Sequence, residues 1–464
     1  MNLSFYNSRS KSIELLNNDK NKPITIYTCG PTVYNKVHIG NLKTFLWSDF
    51  IVCYLQALGY KTKHIMNITD IDDKIINSLE TKNTESLLLF TQHYTDLFLK
   101  DIEKIGIKNY TKQNIHKVTD NITPIVNLIT NLLNKNYAYQ LDDGSVYFDT
   151  SKIDNYPFPD YQKETFEKDN DYERTRKIIK SKNVKSKNDF ILWKPVNDND
   201  IFWITELDKG KPSWNAECSG LALKILETID IKIGGINLKM PHHTCEILQA
   251  EAFDNTQLYG KYFIHCGFLN FSGDKMSKSL GNILRLEDVK FNYYLLRLYF
   301  FTKSYRNTFE FNEEEINTFK TNFINLHMLY NKLSLGFIKS NIKQNYPIEK
   351  TYIYEDLLKI IANDFNTKDA LYLFFNYVDK LLKVYMNKET SENVLNELNK
   401  VNNLFNLLDV KILQISNETI EFINKREELR KNKQFNLTDK MRLELQKNYY
   451  FEDEQTGYLI INKI

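Results

Sequence analysis

The turn at residues 38–41 has residue types that suit the binding of a phosphate group. It lies between residues 24–28, where apolar and polar residues alternate as in a half-buried strand, and a helical pattern that ends at Gly59. The N-terminus of such a helix offers free N–H groups and a partial positive charge. His38 can donate a hydrogen bond to charge that builds on the phosphate, and Gly40 lets another group approach the backbone closely.

A second phosphate-binding segment is predicted around residue 275. Lys275 and Lys278 stand three residues apart in a loop bracketed by Gly273 and Gly281. Ammonium groups on a glycine-hinged loop can move onto the negative charge that grows during attack at phosphorus. Two lysines taken alone would more often lie on a solvated surface loop. The presence of this loop together with the turn at His38, each after a strand, favours the functional interpretation.

Four residues have side chains of the kinds that bind zinc. Cys29 ends the strand before the phosphate turn, and Cys218 lies in the segment Trp-Asn-Ala-Glu-Cys-Ser. His242 and Glu246 stand four residues apart at a helix start, so they share one face of the helix. Two thiolates, an imidazole and a carboxylate are suitable zinc ligands. Each cysteine alone would more often be a small buried hydrophobic residue, and a single His–Glu pair would more often be a surface contact.

Neighbouring residues leave alternatives open at this site. His243 lies three residues before Glu246, and Cys245 lies three residues after His242, so each could replace a ligand. Trp214 suits a substrate pocket or plain core packing. His265, after a strand and near the lysine loop, also suits a hydrogen-bonded place in the core.

The composition excludes several classes of protein. The 464 residues, 42% of them hydrophobic, are enough for several domains. No apolar run approaches the roughly 18 residues of a membrane span, and we expect neither a signal peptide nor a membrane partner. Five cysteines spread over a long chain fit a reducing compartment, so we expect a cytoplasmic protein. The net charge of +2 gives no global sign of nucleic-acid binding.

The apolar periodicity predicts an α/β core followed by helices. Residues 60–69 are predicted to form a second strand, which makes a β-α-β unit with a right-handed crossover and a parallel sheet. Asp70 is predicted to cap the next helix. The pattern is strongly helical from about residue 290, and residues 449–464 are predicted to form a hairpin with Gly457 near its turn.

The combined motifs resemble those of cysteinyl-tRNA synthetases, which are class I aminoacyl-tRNA synthetases. The matching segments are CGPTVYNKVHIGN, NITDIDDKI, ECS, PHH and KMSKSLGN, and the resemblance runs through nearly the whole chain. It implies a Rossmann-like parallel-sheet catalytic domain with an inserted connective subdomain, followed by an α-helical bundle and a small mixed C-terminal domain. The boundaries that we expect are 1–115 and 201–268 for the halves of the catalytic domain, 116–200 for the insertion, 269–315 for the stem-contact region, 316–410 for the anticodon-binding bundle and 411–464 for the C-terminal anticodon-recognition domain.

The resemblance also implies roles for individual residues. It assigns phosphate stabilisation and ATP binding to His38, Gly40, Asn41, Lys275 and Lys278. It assigns one zinc ion to Cys29, Cys218, His242 and Glu246, and contact with the substrate to Thr69 and Trp214. Because a soft thiolate prefers zinc far more than a hydroxyl does, such a site would discriminate cysteine from serine.

Some residues depart from the family pattern. The family usually has His at position 41, an acidic residue at 244 and Asp in the glycine-rich run 234–238, where this chain has Asn41, Thr244 and Asn237.

Single-stranded RNA is read by stacking and by hydrogen bonds to base edges. Asp453 is the residue that we assign to tRNA recognition.

The implied activity is that of a cysteine–tRNA ligase that acts as a monomer. L-cysteine and ATP, with Mg²⁺, would give cysteinyl-adenylate and pyrophosphate, and the cysteinyl group would pass to tRNA(Cys). One rival is a cysteine ligase that acylates a small amine, for which the long helical region would be unnecessary. The other rival is a non-catalytic nucleotide or RNA binder with structural zinc. The presence of the lysine loop argues against this alternative.

Overall fold

The computed structural model describes residues 1–153, 157–158, 183–186, 188–253, 259–276, 281–334, 352–383, 386, 388–454 and 457–463. The chain divides into two compact units. The first comprises Met1–Asp288 and Tyr305–Phe311, and the second comprises Val289–Ser304 and Asn312–Ile464. In the described residues, no helix combines the length and the hydrophobicity of a membrane span.

The first unit contains strands and helices that alternate along most of its length. Its strands are β1 (Ser4–Asn7), β2 (Ser12–Leu15), β3 (Ile24–Thr28), β4 (Thr62–Ile68), β5 (Ile115–Lys117), β6 (Ala138–Gln140), β7 (Val146–Phe148), β8 (Phe190–Pro195), β9 (Trp203–Thr205), β10 (Asp208–Pro212), β11 (Ile229–Gly235), β12 (Tyr259–Cys266), β13 (Leu269–Phe271), β14 (Asp274–Lys275) and β15 (Phe309–Glu310). Its helices are α1 (Ile39–Ala57), α2 (Asp73–Ile76), α3 (Thr84–Lys104), α4 (Ile122–Asn134), α5 (Trp214–Leu226) and α6 (Thr244–Phe253).

The central sheet of this unit is parallel and has the order β12-β11-β3-β4-β5. Strands β4 and β5 follow β3 on one side, and β11 and β12 follow on the other, so the strand order reverses between β3 and β11. In open α/β sheets such a switch point leaves a crevice at the carboxyl ends of the strands, where ligands bind. Helix α1 packs against β4, β11 and β13, which places its N-terminus beside that crevice. The expected α/β class with a parallel sheet is confirmed.

Strand β3 differs from the prediction of a half-buried strand, because all five of its residues are buried. A strand in the middle of a parallel sheet is covered on both faces, and its polar residues then need partners. Thr25 donates a hydrogen bond to Asp230 over 2.9 Å. The hydroxyl of Thr28 lies 2.6 Å from that of Ser48 and 3.0 Å from Nε2 of His64.

The predicted helix cap at Asp70 is wrong. Helix α2 is capped by Asp72, whose side chain accepts a hydrogen bond from the backbone N–H of Lys74. Asp70 is fully buried, and its carboxylate instead accepts hydrogen bonds from the backbone N–H and the hydroxyl of Thr119. The carboxylate therefore ties the end of β4 to the chain after β5, a long-range contact that local sequence does not reveal.

The described residues of the first unit form three further sheets, one of which is the antiparallel pair β1-β2. An antiparallel sheet of order β6-β7-β8-β10-β9 is inserted between the halves of the parallel sheet. A small sheet of order β14-β13-β15 follows β12. The finer division of the chain into six regions stays a prediction.

The second unit is mainly helical, as expected. Its helices are α7 (Tyr293–Phe301), α8 (Glu313–Thr318), α9 (Lys320–Ser334), α10 (Tyr354–Ile361), α11 (Thr367–Leu382), α12 (Lys388–Phe405), α13 (Val410–Leu413), α14 (Asn417–Lys431) and α15 (Phe435–Asn448). Strands β16 (Tyr449–Glu454) and β17 (Gly457–Asn462) form an antiparallel hairpin, which confirms the predicted one. Ile423, Leu445, Phe451 and Ile460 form a small core between this hairpin and α14 and α15.

Helices α4 and α5 touch at Gly220, two residues after Cys218. A Cβ atom at this position would lie 2.7 Å from Cα of Ile125, which is too close for a real contact. We expect Gly220→Ala to lower the free energy of unfolding by about 2 kcal/mol through overpacking. This outcome opposes the intrinsic helix propensity, which favours Ala over Gly. Urea unfolding followed by circular dichroism measures the change.

The matched control is Lys224→Ala, on the exposed side of the same helix. It should change the free energy of unfolding by less than about 0.5 kcal/mol. A gain in stability for Gly220→Ala would show that the two helices can separate without loss.

Candidate metal centre and phosphate-binding turn

Four buried side chains meet at the carboxyl end of β3. Cys29 follows β3, Cys218 lies in α5, His242 lies in the π-helical turn before α6, and Glu246 lies in the first turn of α6. The ligand atoms of the four residues all lie within 4.8 Å of one another. The structure thus brings together the four residues predicted to bind metal.

Direct contacts link these four residues. Nε2 of His242 lies 3.4 Å from Sγ of Cys218 and 3.0 Å from Oε1 of Glu246. Sγ of Cys29 lies 3.6 Å from the same oxygen. The indole ring of Trp214 stacks on the ring of His242 with centroids 4.1 Å apart, so it forms an aromatic wall against the cluster.

The second oxygen of Glu246 has different partners. Nζ of Lys232 lies 2.5 Å from Oε2, and the hydroxyl of Tyr259 donates a hydrogen bond to the same oxygen. Burial alone would raise the pKa of Glu246, but the charges of Lys232 and His242 hold it well below its usual range. The carboxylate is therefore ionised at neutral pH.

Neither alternative ligand is among the four residues whose ligand atoms all lie within 4.8 Å of one another. Nε2 of His243 lies 3.3 Å from Sγ of Cys29, and its Nδ1 lies 2.8 Å from Nε2 of His265 in β12. Burial lowers the pKa of His243 well below its usual value, so its ring is neutral. Cys245 is buried, and burial raises the pKa of its thiol.

The donor set of the cluster fits a metal ion. Two sulfur atoms, one imidazole nitrogen and one carboxylate oxygen form the mixed soft and borderline set that suits four-coordinate zinc. Burial raises the pKa of the Cys218 thiol well above its usual value. Metal binding would therefore displace a proton from the thiol.

The turn at residues 38–41 starts helix α1 with a reciprocal cap. The backbone N–H of Asn41 donates to Nδ1 of His38 over 3.3 Å, and the backbone N–H of His38 donates to Oδ1 of Asn41 over 3.4 Å. A Cβ atom at position 40 would lie 2.9 Å from Nδ1 of His38, so Gly40 leaves room for the ring. Because Nδ1 of the neutral ring accepts, Nε2 carries the proton and can donate.

The chain that follows the lysine loop returns to this turn. The backbone N–H of Ile39 donates to the carbonyl of Leu284 over 2.9 Å. Nζ of Lys36 lies 2.6 Å from a carboxylate oxygen of Glu287. The backbone of Lys275 belongs to β14, while its side chain and the whole of Lys278 lie outside the described residues.

Thr69 lies beside the loop that follows Cys29. Its backbone N–H donates to the carbonyl of Pro31, and its hydroxyl accepts a hydrogen bond from the amide of Asn67 over 3.1 Å. Thr69 is buried at the end of β4. In the second unit the backbone of Asp453 pairs with Tyr458 in the terminal hairpin.

Comparison with known proteins identifies the family. Residues 15–321 match the model of the tRNA synthetases class I (C) catalytic domain. The chain is 33% identical to the cysteine–tRNA ligase of Geobacillus thermodenitrificans (strain NG80-2), over 98% of each chain. It is 34% identical to the cysteine–tRNA ligase of Thermodesulfovibrio yellowstonii, over 97% of each chain. The chain belongs to the cysteinyl-tRNA synthetase family of class I.

A solved structure supports the fold of this family. Methionyl-tRNA synthetase of Mycobacterium tuberculosis, in complex with methionyl-adenylate, matches 84% of this chain and 91% of its own, with a TM-score of 0.56. At 12% sequence identity this likeness concerns the fold alone. The α/β catalytic architecture of class I is thus supported by structure and by sequence.

Sequence reasoning missed two residues of this synthetase-family site. Lys232 and Tyr259 contact Glu246 but belong to no short motif. A signal for Lys232 was present, because this lysine stands between two isoleucines in the segment Ile-Asp-Ile-Lys-Ile of a central strand. A charged residue in such a strand is almost never buried without a partner.

The ring of His38 is predicted to stay neutral well below neutral pH. Burial lowers its pKa to about 4, against about 6.5 for an unfolded chain. The stability that this neutral ring provides is complete above pH 6.5 and is lost as the pH falls from about 6.5 to about 4. NMR titration of the histidine ring protons measures the pKa, and His38→Asn assigns the signal. A midpoint near 6.5 would contradict the prediction.

Proposed function

We propose that this protein is a cysteine–tRNA ligase, which activates L-cysteine with ATP and transfers the cysteinyl group to tRNA(Cys). The observation that carries the proposal is that two sites follow strand β3. The cluster of Cys29, Cys218, His242 and Glu246 lies at the carboxyl end of this strand, and the phosphate turn begins the next helix. Cys29 is at the end of β3, and His38 caps the helix that follows the same strand. Membership of the cysteinyl-tRNA synthetase family supports the same activity.

Zinc is the metal that we propose for the cluster of Cys29, Cys218, His242 and Glu246. When bound, it would supply a position that prefers a thiolate to a hydroxyl, and so would select cysteine over serine. Trp214 closes one side of the site by stacking on His242. A second metal, Mg²⁺, would enter with the phosphates of ATP.

The residues of the phosphate turn would act on the first step. In this step a carboxylate oxygen of cysteine bonds to the α-phosphorus of ATP, and the bond to the bridging oxygen breaks to release pyrophosphate. The Nε2–H of His38 and the backbone N–H of Gly40, at the start of α1, can donate to the phosphate oxygens. Gly40, Asn41, Lys275 and Lys278 belong to the same proposed ATP site, with the lysines balancing the charge of pyrophosphate.

The second step transfers the cysteinyl group to RNA. A terminal hydroxyl of tRNA(Cys) attacks the carbonyl carbon of the adenylate, and AMP leaves with the electrons of the broken bond. Thr69, buried beside the loop after Cys29, is proposed to line the substrate site. The helical second unit and Asp453 are proposed to bind the anticodon end of the tRNA. We propose that the chain works as a monomer in the cytoplasm.

Two linked assays test the function. The chain should catalyse exchange of labelled pyrophosphate into ATP that depends on cysteine, and should then charge tRNA(Cys). Serine at the same concentration is the control substrate and should give no exchange above background. Exchange without charging would favour a cysteine ligase for a small amine. Absence of exchange would favour a non-catalytic binder and would overturn the proposal.

Loss of one thiol should abolish both metal binding and the activation of cysteine with ATP. In Cys218→Ser the hydroxyl replaces a soft thiolate, so we expect bound zinc to fall from about one ion per chain to none measurable. Cysteine-dependent exchange should fall by about 100-fold or more. Inductively coupled plasma mass spectrometry measures the metal.

The control for this variant is Cys53→Ser, a half-buried thiol in α1 outside the cluster. It should keep its zinc and its exchange rate. A zinc-free Cys218→Ser variant that activated cysteine at the wild-type rate would contradict the proposed role of the cluster.

A further inference from the structure

Lys232 occupies an unusual place for a charged residue. It lies in β11, one of the inner strands of the parallel sheet, with Tyr27 of β3 and Phe263 of β12 as its neighbours in register. The residue is completely buried. Burying an ammonium group without a partner is costly, so a lysine is retained here only where a specific group compensates it.

The compensating group is the carboxylate of Glu246. Nζ of Lys232 lies 2.5 Å from Oε2 and 3.5 Å from the hydroxyl oxygen of Tyr259. It also lies 3.6 Å from the centre of the Tyr27 ring, whose face attracts a cation. Tyr259 donates its own hydroxyl hydrogen to Oε2.

The two carboxylate oxygens of Glu246 therefore have different partners. Oε1 faces the cluster, 3.0 Å from Nε2 of His242 and 3.6 Å from Sγ of Cys29. Oε2 instead contacts Lys232 and Tyr259. Since both of its neighbours are hydrogen-bond donors to it, Oε2 is fixed, and the orientation of Oε1 is fixed with it.

The charge balance of the site also supports a role for Lys232 beside the metal ligands. Two thiolates and one carboxylate bring three negative charges to a buried site, and a divalent ion supplies two positive charges. The ammonium group of Lys232 supplies the third, so the filled cluster would be neutral as a whole. A buried site with an uncompensated charge is strongly destabilised.

We propose that Lys232, together with Tyr259, is a positioning residue for the metal ligand Glu246. The pair holds Oε2 so that Oε1 alone is presented to the metal, and Lys232 offsets the negative charge of the ligand set. This inference rests on the proposed metal site. Partners of this kind orient the ligands of a metal and affect its affinity, although they never touch it.

Metal affinity tests the role of Lys232. Lys232→Met keeps the length and the apolar stem of the side chain and removes the charge. We expect its zinc affinity, measured on the full chain by competition with a chromophoric chelator, to fall by about 10- to 100-fold. The visible absorption spectrum of the cobalt-substituted protein should also change, because the carboxylate is free to turn.

Lys224→Met is the matched control, since Lys224 is exposed on the helix that carries Cys218. It should keep the wild-type zinc affinity and cobalt spectrum. Tyr259→Phe removes one hydroxyl from the same carboxylate oxygen and keeps the ring, so it tests the inference even where Lys232→Met does not fold. We expect it to weaken zinc binding by about tenfold.

The outcomes separate this inference from the proposed function. A wild-type chain that binds no zinc would overturn the metal site and the role of Lys232 together. A wild-type chain that binds zinc, with wild-type affinity and an unchanged cobalt spectrum in Lys232→Met or Tyr259→Phe, would overturn only the positioning role.

Discussion

The positions of the metal cluster and of the phosphate turn depend on the reversal of strand order between β3 and β11. Because these neighbouring strands are parallel, their carboxyl ends open at the same edge of the sheet, and the chain leaves them in opposite directions. The loop after β3 carries Cys29 and the phosphate turn. The segment after β11 carries His242 and Glu246. One crevice therefore receives a thiol-rich cluster and a helix N-terminus, which are the two kinds of site that an adenylate-forming enzyme selective for a thiol needs.

The burial of this cluster has an electrostatic consequence. Ionised groups removed from water are stable only when each has a close partner, and a carboxylate has two oxygens to satisfy. The structure meets this requirement with Lys232 on one side of Glu246 and His242 on the other. Aromatic rings surround the pair, with Tyr27 beneath the ammonium group and Trp214 against the imidazole.

The phosphate turn uses its residues for structure as well as for chemistry. His38 and Asn41 satisfy each other's backbone N–H groups. The N–H of Ile39 donates to the carbonyl of Leu284, so the N–H of Gly40 can serve a ligand. Asn41 fills this capping role through its amide oxygen. The backbone N–H of Asn41 donates to Nδ1 of His38, and this bond selects the tautomer in which the ring proton is on Nε2. Thus the local fold and the direction of hydrogen-bond donation are set by one pair of side chains.

Sequence by itself determined the elements and the residue types at the site. Alternation and helical spacing predicted β3, β4 and the helical second half, because these patterns are local. The short motifs identified His38, Cys29, Cys218 and the His242–Glu246 pair as candidate site residues. Tertiary structure decided how the elements pack across the sheet. Burial of both faces of β3, the true cap at Asp72 and the pairing of Lys232 with Glu246 all depend on contacts between segments far apart in the chain. Local periodicity carries no information on such contacts, since the same lysine would be solvated on an edge strand and must be paired in a central one.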